Sequence, residues 1–142
     1  TRTPLYYAAQ HDKEAIVALL IKYGADTNVK DTDGNPLVHT FLWEKNTKAM
    51  EHLLANGVNP ETLDRYGRTL LHVAALRVNT HAIAILLKYG ADPYAKNSRG
   101  ETPLTSLQQT IKKRTGTSDE LMSQYNQIIM LLKNAMHHKK AK

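Results

Sequence analysis

Apolar residues along this chain come in short blocks at helical spacing, separated by polar, turn-forming stretches. One kind of block is opened by Thr or Pro and runs Leu5-Tyr6-Tyr7-Ala8-Ala9, Leu37-Val38-His39-Thr40-Phe41-Leu42 and Leu70-Leu71-His72-Val73-Ala74-Ala75. The other sets apolar pairs on one helical face: Ile16-Val17 with Leu20-Ile21, Met50 with Leu53-Leu54, and Ile83 with Leu86-Leu87. Each couple of blocks predicts a first and a second helix, and the couple recurs. Gly24, Gly57 and Gly90 are spaced by 33 residues, as are Gly34, Gly67 and Gly100. A fixed period of this length marks stacked supersecondary units, none of which buries its apolar face alone.

Local signals agree with that phase. Thr3-Pro4 and Thr102-Pro103 join a hydroxyl that accepts an orphan backbone N–H to a residue with no N–H to leave unpaired; Thr69 keeps the first of the two. Gly24, Gly57 and Gly90 suit a left-handed cap closing each second helix. The stretch Ala25 to Gly34 and its equivalents are rich in Asp, Asn and Gly and predict projecting hairpins or loops. Leu131-Leu132 follow Leu86-Leu87 by 45 residues, so the fourth unit carries an insertion of 12 and a longer helix pair is expected. Its last helix is expected to start on Ser118, with Asp119 and Glu120 complementing the dipole, and to run to about Met136.

These units resemble ankyrin repeats, whose pattern runs D-x-x-G-x-T-P-L-H-x-A-A, then an outer helix ending in L-L, then G-A-D. Thr3-Pro4-Leu5 with Ala8-Ala9, Thr69-Leu70-Leu71-His72 with Ala74-Ala75, Thr102-Pro103-Leu104, and Gly-Ala-Asp at 24–26 and 90–92 carry the likeness from roughly Thr3 to Met136. The resemblance implies an all-α solenoid of antiparallel helix pairs with short projecting hairpins or loops and a concave side. It divides a single domain, 1–142, into units at about 1–30, 31–63, 64–96 and 97–136, with a basic tail at 137–142. The second unit departs from the pattern: Phe41 and Leu42 stand where the family has two alanines, and Pro36 where it has the capping threonine. Distorted packing is expected there. The sequence opens inside a unit, with no polar capping repeat before it, and is read as a fragment of a longer polypeptide.

Composition narrows the function. A length of 142 residues with 42% apolar content suits one stacked domain. No apolar run reaches the roughly 18 residues of a membrane-spanning helix, and the amino terminus shows no signal segment. The absence of cysteine excludes disulfides and thiolate chemistry. It fits an intracellular protein, cytoplasmic first, with the nucleus or, for a bacterial effector, the host cytosol as alternatives. There is no G-x-x-x-x-G-K-[ST], G-x-G-x-x-G, H-E-x-x-H or G-x-S-x-G, so no enzyme, cofactor or small-molecule substrate is expected. His39 and His72 share the phase at which the family's histidine bonds backbone. His137 and His138 are adjacent, so their side chains point about 100° apart on a helix, and no metal is expected at either pair.

What remains is surface. The resemblance places partner recognition on loop tips and on the exposed side of the first helix of each pair. Those phases hold Tyr7, Trp43, Arg65, Tyr66, Arg68, Leu76, Arg77 and Arg99, with Thr40, Val73 and Ser106 among their neighbours. Tryptophan, tyrosine and arginine dominate interface hot spots. Trp43 also reads as cover for the packing around Phe41-Leu42, and the arginines as simply solvated. Chiefly Asp33, Glu44 and Glu101 oppose the arginines in these phases. The face is therefore expected to be basic and to attract a protein segment that is acidic, or acidic with an apolar anchor. Two alternatives stay open. One is a substrate-recruiting ankyrin domain of a larger enzyme or bacterial effector whose catalytic domain lies outside this sequence. The other is a weak polyanion or nucleic-acid tether through Lys112-Lys113-Arg114 and Lys139-Lys140-Lys142, given a net charge of +6. Few aromatic residues and no nucleic-acid module argue against the latter.

Overall fold

The computed structural model describes residues 2–141. Among them the regular structure is helical: α1 (Pro4–Gln10), α2 (Glu14–Lys22), α3 (Leu37–Trp43), α4 (Thr47–Ala55), α5 (Leu70–Leu76), α6 (Thr80–Lys88), α7 (Pro103–Lys113) and α8 (Asp119–Ala141). The odd-numbered helices form one row and the even-numbered ones a second, and short turns make each pair antiparallel. Leu5, Leu70 and Leu107 from the first row meet Val17, Leu53, Leu86 and Ile128 from the second in one continuous core.

Caps set the starts of the helices. The hydroxyls of Thr3, Thr69 and Thr102 accept the N–H of Tyr6, His72 and Thr105 at 3.3, 3.4 and 3.2 Å. Helices α4 and α6 begin on Asn46 and Asn79, which accept from Ala49 and Ala82 at 3.1 and 3.0 Å. The Asn46 amide also donates to the Ala9 carbonyl at 2.9 Å and so ties the second unit to the first. Gly24, Gly57 and Gly90, at φ +87°, +94° and +85°, turn the chain out of the second helices, which only glycine does without strain.

The last pair is the long one: α7 has 11 residues against seven in α1, α3 and α5, and α8 has 23 against nine in α2, α4 and α6. Ser118 caps α8 by accepting the Leu121 N–H at 3.2 Å. The helix does not stop near Met136 but continues through Ala141, so the expected tail at 137–142 is helical as far as it is described. No glycine or proline follows Met136, and lysines favour a helix C-terminus. This end is also anchored: Lys139 Nζ lies 2.6 Å from Asp92 Oδ1, and the Tyr94 hydroxyl donates to the Met136 carbonyl at 3.1 Å. Lys142 and the side chain of Lys140, two of the three lysines in the terminal basic cluster, lie outside the described residues.

In the second unit the bulk of Phe41 and Leu42 is wholly buried, and the Phe41 ring stacks on Tyr6 with centroids 6.0 Å apart. In the first row α3 stands farther from α1 than α7 does from α5. Pro36 leaves a second mark. In the third unit Thr69 both caps α5 and places its hydroxyl 2.8 Å from His72 Nδ1, while His72 Nε2–H donates to the Glu101 carbonyl at 2.7 Å. In the second unit His39 Nε2–H donates to the Thr62 carbonyl at 2.6 Å, but α3 has no side-chain cap and His39 Nδ1 is buried without a partner. Pro36→Thr is expected to supply both. A cap contributes about 1 kcal/mol, relief of a buried unpaired acceptor about as much, and loss of proline's rigidity costs roughly 0.5–1 kcal/mol. A urea titration should show net stabilisation of about 1 kcal/mol.

Burial holds both imidazoles below their ordinary value of 6.5, although the carbonyls that accept from Nε2 pull the other way. The unfolded chain then takes up protons at a higher pH than the folded one. Stability is complete above the unfolded value and falls as pH drops through it toward the folded values. Between pH 7.5 and 5.5 the unfolding free energy is expected to decrease by up to about 1 kcal/mol for each histidine. Urea midpoints at the two pH values check this, and the drop should shrink in a His72→Gln variant.

Candidate partner-binding site

The loops between helix pairs are shaped by one repeated device. Asp31, Asp64 and Asn97 stand at the same phase, and each side-chain oxygen accepts two N–H groups from the loop ahead of it. The Asp31 acceptors serve Asp33 and Asn35, those of Asp64 serve Tyr66 and Arg68, and those of Asn97 serve Arg99 and Glu101, all at 2.8–3.0 Å. Successive loops are also joined. Arg65 N–H donates to Asn35 Oδ1 at 3.3 Å, and Ser98 N–H to the Gly67 carbonyl at 3.1 Å. Gly67 sits at φ +71°, and a Cβ there would stand 2.8 Å from the Ser98 Cβ, so the close approach of the two loops requires a glycine.

On this frame five of the eight expected residues converge. The Arg68 guanidinium lies over both Trp43 (5.3 Å to the ring centroid) and Tyr66 (4.9 Å). Arg77 lies over Trp43 at 4.7 Å and Arg65 over Tyr66 at 4.8 Å, which makes a row of Arg77, Trp43, Arg68, Tyr66 and Arg65. The inner side of Trp43 packs against the core, as the reading of it as cover expects, while its outer side is the platform for two arginines. Arg77 further donates to the Trp43 carbonyl at 3.3 Å.

The residue that organises this row was not among those expected. Asp64 is wholly buried and holds Arg68 through Nη2 at 2.7 Å and Nε at 2.9 Å. Burial alone would raise its pKa, but the guanidinium and the two loop N–H groups outweigh that and hold the carboxyl below the usual carboxylate value. Its signal was available, since Asp64 repeats Asp31 at the 33-residue period. Arg68 is therefore clamped rather than solvated.

The remaining expected residues divide. Leu76 and Arg99 line a groove of about 260 Å³ on one side of Tyr66, together with Arg68 and Ser98. A second groove, about 340 Å³, lies on the other side between Trp43, Arg65, Asp33 and Glu44. Tyr7 is not brought to the cluster: it stands in the first unit, edge-on to Tyr6 at 5.7 Å. Thr40, Val73 and Ser106, expected near the surface, are buried between units. The expected basic face is of mixed sign instead. Arg68 is compensated by Asp64, Arg65 is 3.9 Å from Asp33, and Asp31, Asp33 and Glu44 gather toward the second unit. Arg77 and Arg99 are the exposed arginines of the site with no carboxylate partner among the described residues. Among those residues no three His, Asp or Glu side chains gather as a metal would need, and no helix is long and apolar enough to cross a membrane.

Two family models match in the phase of these helices and loops. One, described as ankyrin repeat, takes in residues 2–32; the other, ankyrin repeats (many copies), takes in 53–105. Together they cover more than half of the chain. The chain belongs to the ankyrin repeat family. Ankyrin repeats are in general protein–protein interaction modules. Among solved structures, the ankyrin repeat domain of Bcl-3, a member of the IkappaB protein family, shares the fold with a TM-score of 0.72 at 24% identity. The match covers 92% of this ankyrin chain and 51% of that one, so the chain spans about half the length of the solved domain. No curated protein sequence matches it.

Proposed function

We propose that this ankyrin domain is a non-catalytic protein-binding module whose partner lies across the row of Trp43, Tyr66 and their arginines. One observation carries the reading. Five side chains of the types that dominate interface hot spots, drawn from the end of α3, the loop between α4 and α5 and the C-cap of α5, are already fixed against one another and against buried Asp64. Side chains held in place beforehand lose little entropy on association. Tyr66 stands exposed as a ridge between the two grooves, so a partner segment crossing it is recognised on both sides.

The chemistry favours a segment of mixed acidic and apolar character. An apolar or aromatic side chain fits against Trp43 and Tyr66, and a carboxylate is drawn to Arg77 or Arg99. Nucleic acid fits less well, because two of the four arginines already have carboxylate partners and the adjoining groove carries Asp33 and Glu44. Affinity capture from cytosolic extract tests the reading. The chain is compared with a Trp43→Ala, Tyr66→Ala, Arg77→Ala variant whose fold is verified by circular dichroism. A protein retained by the parent chain alone, which then binds it in purified form, supports the assignment; equal retention by both refutes it.

A further inference from the structure

A notch of about 350 Å³ lies between the turn that joins α3 to α4 and the turn that joins α5 to α6. Its wall carries Lys45, Arg77 and His81 with the hydroxyl residues Thr47 and Thr80, and among the described residues no carboxylate lines it. Arg77 is held on Trp43 through the ring and the carbonyl. The side chains of Lys45 and His81 are exposed and have no partner among the described residues.

The 33-residue period shows what this arrangement replaces. One unit earlier, Lys48 Nζ lies 3.4 Å from Asp12 Oδ2 and joins the first unit to the second by an ion pair. Lys45 repeats Asp12 and His81 repeats Lys48, so the acidic member of that pair has become basic and its partner an imidazole. The two neighbouring carboxylates are lost at the same step: Arg77 repeats Glu44, and Thr47 repeats Glu14. Positions that balance one another between the first and second units therefore present like charge between the second and third. Such a cluster repels itself and attracts an anion placed between its members. Thr47 and Thr80 open α4 and α6, whose dipoles add to that attraction.

We propose, resting on the reading of the Trp43–Tyr66 row as the partner-binding site, that this notch receives a phosphate monoester borne by the bound partner segment. Donors from two consecutive units surround it: an ammonium, a guanidinium, an imidazole and two hydroxyls. A phosphate monoester carries close to two negative charges and three strong acceptor oxygens, whereas a carboxylate offers one charge and two oxygens. The phosphate belongs to the partner because Arg77 both lines the notch and lies 4.7 Å over the Trp43 ring. A segment that crosses the row thus brings its next residues to Lys45 and His81. Recognition by the domain then depends on phosphorylation of its partner.

Retention of the chain on immobilised degenerate peptide libraries tests this. One library is built around a fixed phosphoserine, phosphothreonine or phosphotyrosine in equal parts, a second around the unmodified residues and a third around glutamate. Retention is expected to be at least about tenfold greater on the phosphorylated library than on either of the others. The double variant Lys45→Asn, His81→Ala should abolish that preference. It leaves Arg77 in place and puts at position 45, where φ is +61°, a residue that accepts the left-handed conformation. Tyr66→Ala should weaken retention on every library and keep the preference. Equal retention of the phosphorylated library and either control overturns the proposal, and so does a preference that survives the double variant. Displacement of the chain by inorganic phosphate at the same phosphate concentration also overturns it, because the occupant is then a free anion. A preference that the double variant removes and Tyr66→Ala leaves untouched, with retention undiminished, upholds the notch and counts against the row.

Discussion

Asp64→Ala is expected to cost about 3 kcal/mol of folding free energy, although the residue belongs to a loop. Two effects add. The guanidinium of Arg68, largely enclosed between Trp43 and Tyr66, loses the carboxylate that held it at 2.7 and 2.9 Å and becomes a poorly hydrated, uncompensated charge. The N–H groups of Tyr66 and Arg68 lose their acceptor, so the loop loses the bonds that shape it. Asp64→Asn keeps an acceptor for the loop and removes only the charge, and should cost roughly half as much. A double-mutant cycle separates the two contributions: in an Arg68→Met background Asp64→Ala should cost much less, since no stranded cation remains. The pH dependence has a definite sign. The carboxyl is held below its ordinary value in the fold, so its contribution is present above the unfolded pKa and is lost as pH falls through the folded one. Urea unfolding of the four variants measures all of this.

Tyr66→Ala should do the reverse, leaving the fold nearly intact and removing recognition. Its ring is more than half exposed, lies outside the core and contacts Arg65 and Arg68. Its loss should therefore change unfolding by no more than about 0.5 kcal/mol. In a complex the same ring is the ridge between two grooves and the platform that orients two guanidinium groups. Truncating an aromatic side chain in such a position costs about 2 kcal/mol of binding, close to a thirtyfold rise in Kd. Trp43→Ala confounds the two effects because part of its ring packs on the core. Tyr66 is the cleaner probe.

Much of the architecture was legible in the sequence because several independent signals repeat at one phase. The capping threonines, the closing glycines and the paired leucines each constrain the same helix, and all fall where the structure has them. Less legible were features that depend on contacts between units. Asn46 and Asn79 as caps, and Asp64 as the clamp on Arg68, are polar residues in loops whose partners become apparent only when neighbouring elements are placed. Thr40, Val73 and Ser106 were misjudged for the same reason: their phase is exposed in the first unit, at Tyr7, and buried in every unit that stacks on a preceding one. The end of α8 was set too early because a basic run was read as a tail, whereas Lys139 reaches back to Asp92. At the candidate site, the phase of the repeat picked out the aromatic and arginine side chains singly, but neither their stacking into one row nor its charge balance. The counter-ions Asp64 and Asp33 lie at loop positions that the pattern assigns to turn formation.

The central claim is that the Trp43–Tyr66 row is where a partner is recognised, and a calorimetric titration of the captured partner tests it most directly. The parent chain, Tyr66→Ala, Arg77→Ala and a control Tyr23→Ala on the remote end of the stack are compared, all verified as folded. The account predicts a Kd raised about thirtyfold by Tyr66→Ala, raised in a salt-dependent way by Arg77→Ala, and unchanged by Tyr23→Ala. Binding that stays within about twofold across Tyr66→Ala and Arg77→Ala would contradict it and place recognition elsewhere on the solenoid.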